Sequence, residues 1–239
     1  MAIFQYLLFS ILILGIAIIS IIYKKLTTRG GIAAAFVGIA VYAGSNYKGL
    51  AMLGAFFILG TLATAWRKNE KMPLKAKTDR STARNAGQVM ANGGVAAIMG
   101  ILAILFPLHA EVLKLMLAAS LSAATADTLS SELGMLYGRR FFNVLNFAPE
   151  QKGLDGVVSI EGILIGLAGS CVIAIIYTGI SLFNVQFLLI IIAGTIGNLA
   201  DSILGAMFER KQYLSNDQVN FFNTLIAALF MFGCLIPSL

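Results

Sequence analysis

The sequence predicts an all-α fold: a polytopic integral membrane helix bundle of about eight transmembrane helices, with both termini outside. Three observations carry that prediction. The 239 residues are 59% hydrophobic and only 12% charged, with a mean hydropathy of +0.88, too little polar sequence to cover a soluble globule. Apolar runs suited to the ~20 residues that a bilayer crossing needs recur along the whole chain. The basic residues gather in alternate loops. One integral membrane domain over 1–239 follows, with no room for a separate soluble unit.

The first run, 3–23, has no positive residue before it and Lys24, Lys25 and Arg29 directly after it, and it is too long for a signal peptide. It is expected to be a retained helix with its amino terminus outside. Further runs cover 32–43, 50–66, 88–108, 112–136, 157–182, 185–208 and 221–235. The run 32–43 is short and weak, so a seven-helix count stays open. With eight crossings, Lys24, Lys25, Arg29, Arg67, Lys68, Lys71, Lys75, Lys77, Arg80, Arg84, Arg139, Arg140, Lys152, Arg210 and Lys211 share one side, 15 of the 17 basic residues. Lys48 and Lys114 fall on the other. Dropping one crossing scrambles this pattern, so the bias favours eight helices and puts the basic side in the cytoplasm of an inner cell membrane. The net charge of +6 therefore reports topology, not nucleic-acid binding.

Cys171 and Cys234 lie in apolar stretches, too far apart for a metal knuckle or a disulfide framework. His109, beside Pro107 where a run ends, is expected to be a loop histidine. Small residues four apart, Gly162, Gly166 and Ser170, then Gly194 and Asn198, predict close approach of helix backbones.

Against this apolar background Asp127, Glu132 and Asp201 lie within membrane runs, while Asp155 and Glu161 bracket the start of another. Ionisable groups at such depth are costly and mark a pathway or a site, unless they pair or bond between helices as glue. Their shared depth is informative. Asp127 and Glu132 fall late in the fifth helix and Asp201 late in the seventh. Ser159 and Glu161 open the sixth, Asn92 lies early in the fourth, and Asn220 and Asn223 open the eighth. All belong to the cytoplasmic half and can line one cavity. Carboxylates crowded there repel each other unless a cation holds them, and hard oxygen ligands favour Mg²⁺ with phosphates completing its shell. A basic rim complements phosphate oxygens. Asp127 and Glu132 are five residues apart, so on a regular helix they point roughly 140° from each other. Asn198 and Asp201, three apart, share a face. The pair Asp127 and Asp201 is thus the stronger expectation. No soluble nucleotide signature is present, neither G-x-x-x-x-G-K-[ST] nor H-R-D nor G-x-S-x-G.

The segment Ala124-Thr-Ala-Asp127-Thr-Leu-Ser-Ser-Glu132-Leu-Gly134 resembles the D-T-x-[AS]-S-E-[LI]-G signature of the phytyl-phosphate kinase family of integral membrane proteins. Three further stretches, 88–94 around Asn92, 156–162 with Ser159 and Glu161, and 197–206 with Asn198 and Asp201, match it in order over about 80–225. More distantly the chain is similar to phytol and dolichol kinases. The resemblance implies transfer of the γ-phosphoryl group of a nucleoside triphosphate, CTP by preference, to a prenyl monophosphate lipid such as phytyl or geranylgeranyl monophosphate. It further implies Asp127 and Asp201 on Mg²⁺, with Glu132 beside them or on a second metal. Arg84, Arg139 and Lys152 are then expected to hold phosphates, and Asn92, Ser159 and Asn198 to orient them. Asp155 and Glu161 depart from the family pattern and, with Asn220, are secondary candidates. The prenyl tail is expected to stay in the bilayer and enter sideways between helices. A homodimer is compatible with this reading. Two rivals stay open: a nucleotidyl transferase acting on a lipid phosphate with CTP, and an ion-coupled or lipid transporter. No internal repeat supports the transporter.

Overall fold

The computed structural model describes residues 2–73, 83–179 and 184–236; Lys75, Lys77 and Arg80 lie outside them. Its helices are α1 (Ala2–Ile22), α2 (Thr28–Ala65), α3 (Lys68–Lys71), α4 (Ala86–Leu105), α5 (Ala110–Tyr137), α6 (Ile160–Thr178), α7 (Val185–Leu204) and α8 (Asn216–Leu235). A 3₁₀ turn, Pro107–His109, joins α4 to α5, and a π turn, Gly205–Glu209, prolongs α7. One small antiparallel pair, β1 (Phe141–Asn143) with β2 (Val157–Ser159), links α5 to α6.

Seven of these helices are long and apolar enough to cross a membrane, and α2 supplies two crossings. Its continuity breaks at Asn46, where φ is 53° and ψ −151°. The amide of Thr27 donates to the Arg84 carbonyl at 3.0 Å, while the Cβ position of Gly60 is 2.5 Å from Nη2 of the same arginine. On a straight helix Gly30 and Gly60 stand ~45 Å apart. The chain therefore folds back at Asn46 into arms 28–45 and 47–65. At the opposite end of the bundle Gly44 lies against the Gly100 backbone, and Lys48 Nζ donates to the Tyr177 carbonyl at 3.1 Å. Eight spanning segments result, with the start of α1 and the end of α8 at the end of the bundle away from Arg84.

The boundaries follow local chemistry. Asn85 and Gln88 close a reciprocal capping box that starts α4, and Ser215 with Gln218 does the same for α8, five residues before the apolar run at 221. The run from 157 was expected to be helical throughout. Instead Val157 and Val158 pair with β1, and Ser159, extended at φ −129° and ψ 155°, caps α6 by accepting from Gly162 N at 3.1 Å.

α5 is the central helix and touches α2, α4, α6, α7 and α8. Its middle is built of small residues, with Ala118, Ala119, Ser120, Ser122, Ala123 and Ala124 fully buried. The anticipated close approaches occur here: Gly162 meets the Cα of Gly134, Gly166 meets the Ala126 carbonyl, and Gly194 meets the Ser122 and Ser170 hydroxyls. α1 is peripheral. Ile13 and Ala17 pack against Ala35 and Tyr42, while Ile11, Ile18 and Ile19 face outward as a lipid-contacting helix requires.

Candidate functional site

At the Arg84 end of the bundle a cavity of about 860 Å³ opens among α2, α4, α5, α7, α8 and the β1–β2 segment. Arg84, Asn92, Asp127, Glu132, Asp155, Ser159, Asn198, Asp201 and Asn220 all line it. Residues from five separate stretches of the sequence thus meet in one place. Arg139, Lys152 and Glu161 do not line it. Arg139 and Lys152 are exposed outside the cavity, and the Arg139 amide donates to Glu161 Oε2 at 3.3 Å.

On the floor, Asp127 of α5 and Asp201 of α7 face each other within side-chain hydrogen-bonding reach. Glu209 and Asp155 bring further negative charge close to them. Asn223 Nδ2 donates to Asp201 Oδ1 at 3.1 Å and so fixes one carboxyl face. Among the described residues, the buried Oδ1 atoms of Asn92 and Asn223 have no hydrogen-bond partner. Asn198, beneath Asp201, fits because Gly166 has no side chain: a Cβ there would stand 2.7 Å from Asn198 Nδ2.

Glu132 occupies a different wall, as the five-residue spacing from Asp127 demands. Its Oε2 is 2.6 Å from Lys71 Nζ, its Oε1 accepts from Thr64 Oγ1 at 3.1 Å, and Lys71 also donates to the Ala63 carbonyl at 2.7 Å. Lys71 is buried, so α3 acts as a plug that ties α2 to α5. Among the described residues no group of three Asp, Glu, His or Cys side chains gathers to hold a metal. The carboxylate pair is the available anionic donor set.

The rim is basic. Lys24, Lys25, Lys68 and Arg84 line the cavity, and the Arg84 guanidinium stacks over Phe56 at 5.2 Å. Burial lowers the Arg84 pKa from its ordinary value, and the Glu132 charge counteracts that shift. Four capped helix starts, at Thr27, Asn85, Ser159 and Ser215, lie at this same end. Their partial positive charge adds to the rim. Over the mouth, Arg210 grips Glu150 through two bonds of 2.8 and 3.0 Å, and its Nε donates to the Asp155 carbonyl. This clamp holds the 141–159 segment against the end of α7 and sets Asp155 and Ser159 over the floor. Sequence reasoning used Lys24, Lys25 and Lys71 only as topology signals, and nothing in the order of residues marks Lys71 as the buried partner of Glu132. A mixed carboxylate and cationic cavity of this kind suits a polyphosphate bound with a divalent cation.

Protein VTE6, chloroplastic, of Arabidopsis thaliana is 30% identical over 212 residues, 84% of this chain and 63% of its own. An uncharacterized membrane protein of Methanocaldococcus jannaschii is 36% identical over 222 residues, 91% of this chain and 90% of its own. One from Synechocystis is 31% identical over 223 residues, 91% and 86% respectively. No solved structure matches the chain. Residues 11–228, which take in all four motifs and the facing carboxylates, match the family described as integral membrane protein DUF92, and the chain belongs to that family.

Proposed function

We propose that the protein is a membrane-embedded prenyl phosphate kinase, which transfers the γ-phosphoryl group of a nucleoside triphosphate, CTP by preference, to a prenyl monophosphate. The observation that carries this reading is the pair Asp127 and Asp201 on the floor of a basic-rimmed cavity at one end of a membrane bundle. The motifs' resemblance to phytyl-phosphate kinases supports the same reaction.

Two facing carboxylates require a proton or a cation between them. Mg²⁺ fits that donor set, since it takes one or two carboxylates and leaves its other positions to water and phosphates. Asp127 and Asp201 would hold it, and it would supply neutralisation of polyphosphate charge. A phosphate monoester has a second pKa near 6 and is largely a dianion at neutral pH. Its oxygen attacks the γ phosphorus, the bond from that phosphorus to the β–γ bridging oxygen breaks, and the nucleoside diphosphate leaves. No strong base is needed, so the work of the residues is positioning and charge neutralisation. Arg84, Lys24 and Lys25 hold phosphate oxygens, while Asn92, Ser159, Asn198 and Asn220 orient them. Arg139 and Lys152 attract the nucleotide from outside the cavity. Glu132, bonded to Lys71, holds the walls together, and Asp155 and Glu161 act at the mouth. The basic end faces the cytoplasm in this reading.

Detergent-purified protein is incubated with Mg²⁺, phytyl or geranylgeranyl monophosphate and each of CTP, ATP, GTP and UTP, and products are followed by mass spectrometry. Matched lipid diphosphate and nucleoside diphosphate are expected, and Asp127→Asn or Asp201→Asn should abolish both while the protein stays extractable. Pyrophosphate with a nucleotidyl lipid would identify a transferase instead, and no turnover with any donor would refute the kinase.

A further inference from the structure

A second cavity adjoins the first. A groove of about 150 Å³ lies between α1, the two arms of α2 and the start of α4, and it shares Arg84 and Gln88 with the polar cavity. Its walls are apolar: Ile16 and Ala17 on one side, Leu53, Phe56 and Phe57 on the other. From Phe57 to Leu50 it runs ~10 Å along the bundle at 1.5 Å per residue. The Arg84 guanidinium, 5.2 Å above the Phe56 ring, stands where the groove opens into the polar cavity. The outer wall is α1, the most lipid-exposed helix, whose principal neighbour is α2. Gly54 opens into free space, with no atom within 4 Å of its Cβ position.

We propose that this groove is the site for the apolar chain of a single-chain prenyl phosphate, seated so that its phosphate meets Arg84 and reaches toward Asp127 and Asp201. The inference rests on the kinase reading and adds where the lipid lies. An apolar trough that ends on a half-buried guanidinium matches an amphiphile with one chain and an anionic end, because the chain stays in apolar surroundings while the phosphate gains charge-assisted bonds. A nucleotide has no apolar chain for the trough. A diacyl phospholipid brings two chains to a groove shaped for one. Entry between α1 and the second arm of α2 lets the lipid arrive from the bilayer without crossing the polar cavity.

The test uses a C20 prenyl monophosphate with a diazirine on its chain, bound to the full protein in nanodiscs and photolysed, with labelled peptides mapped by mass spectrometry. Turnover is measured in parallel with unmodified C20 and C5 prenyl monophosphates. Labelling is expected on 13–20 and 50–57, and excess unlabelled C20 monophosphate should displace it where phosphatidate does not. Gly54→Phe, whose Cβ has open space and whose ring would occupy the groove, should cut labelling at least tenfold and lower kcat/KM for the C20 substrate at least tenfold more than for the C5 one. Gly233→Phe, at an exposed position near the end of α8 with open space at its Cβ, is the control and should keep wild-type labelling. Labelling elsewhere, labelling unchanged in Gly54→Phe, or equal displacement by phosphatidate would each overturn the proposal. Groove labelling without turnover would support the groove and sink the kinase, and turnover without groove labelling would do the reverse.

Discussion

Replacing Lys71 by Met should destabilise the protein far more than loss of a loop lysine would. Lys71 Nζ lies 2.6 Å from Glu132 Oε2, and the two side chains are 2% and 9% exposed. Removing one partner of a buried ion pair costs ~3–5 kcal/mol. Because α3 is a single turn, it can open and let water reach Glu132, so the lower end applies, ~3 kcal/mol or about two decades in the unfolding equilibrium. The double variant Lys71→Met with Glu132→Gln removes both charges and keeps an amide near Thr64. It should return to within ~1 kcal/mol of wild type, a coupling of at least ~2 kcal/mol, to which the cost of Glu132→Gln alone adds. Unfolding by SDS titration of solubilised protein reads this directly, because Trp66, the single tryptophan, donates to Tyr137 Oη at 2.8 Å across the same α2–α5 junction. A coupling below ~0.5 kcal/mol, the value of an exposed pair, would refute the plug.

Gly60→Ala places a methyl group 2.5 Å from Arg84 Nη2, and the flexible guanidinium must yield. KM for the prenyl monophosphate, whose phosphate meets Arg84, should rise several-fold in steady-state assays while thermal stability holds, since alanine favours the helix by ~1 kcal/mol over glycine. Asn223→Ala removes the 3.1 Å donor to Asp201. Activity should fall ~10–100-fold, as for other lost partners of metal-holding groups, with a matching rise in the Mg²⁺ needed for half-maximal rate. The Arg210 hydrogen bonds hold the Glu150 carboxyl below its usual pKa. The clamp therefore contributes fully above the ordinary glutamate pKa of ~4.3 and is lost as pH falls through the depressed value. Proteolysis of the 141–159 segment should be faster in Glu150→Gln than in wild type at neutral pH, with the difference closing in acid.

The bundle was legible because a bilayer forces its imprint on sequence: long apolar runs and basic loops on alternate sides. The reversal at Asn46 was legible only through charge, since the arms 28–45 and 47–65 are joined with almost no polar break, and Lys48 was the one marker that the chain had reached the far side. Asp127 and Asp201 stood out because a carboxylate in an apolar run has few bland explanations. Arg139 and Lys152 are expected from the family resemblance and Glu161 from its place at the start of an apolar run, and the structure leaves them outside the cavity because the 141–159 segment, of which only 157–159 read as helix, folds over as a small hairpin. Lys71 could not be found from its neighbours. Its burial depends on where α5 presents Glu132, which is a property of packing.

Packing and chemistry meet at the glycines of α7. A side chain at Gly197 would stand 2.5 Å from Ala123 Cβ and 3.0 Å from the Asn223 carbonyl, so this residue sets how closely α7 approaches both α5 and α8. Asp201 lies one helical turn further along the same face. Any outward displacement of α7 at Gly197 carries Asp201 away from Asp127 and from Asn223 together. The separation of the two carboxylates is thus governed by backbone contact between helices, while side-chain reach is secondary. The small residues that fill the middle of α5 have a second consequence beyond association in lipid: they bring two acidic groups, each costly on its own helix, together, as the proposed cation site requires.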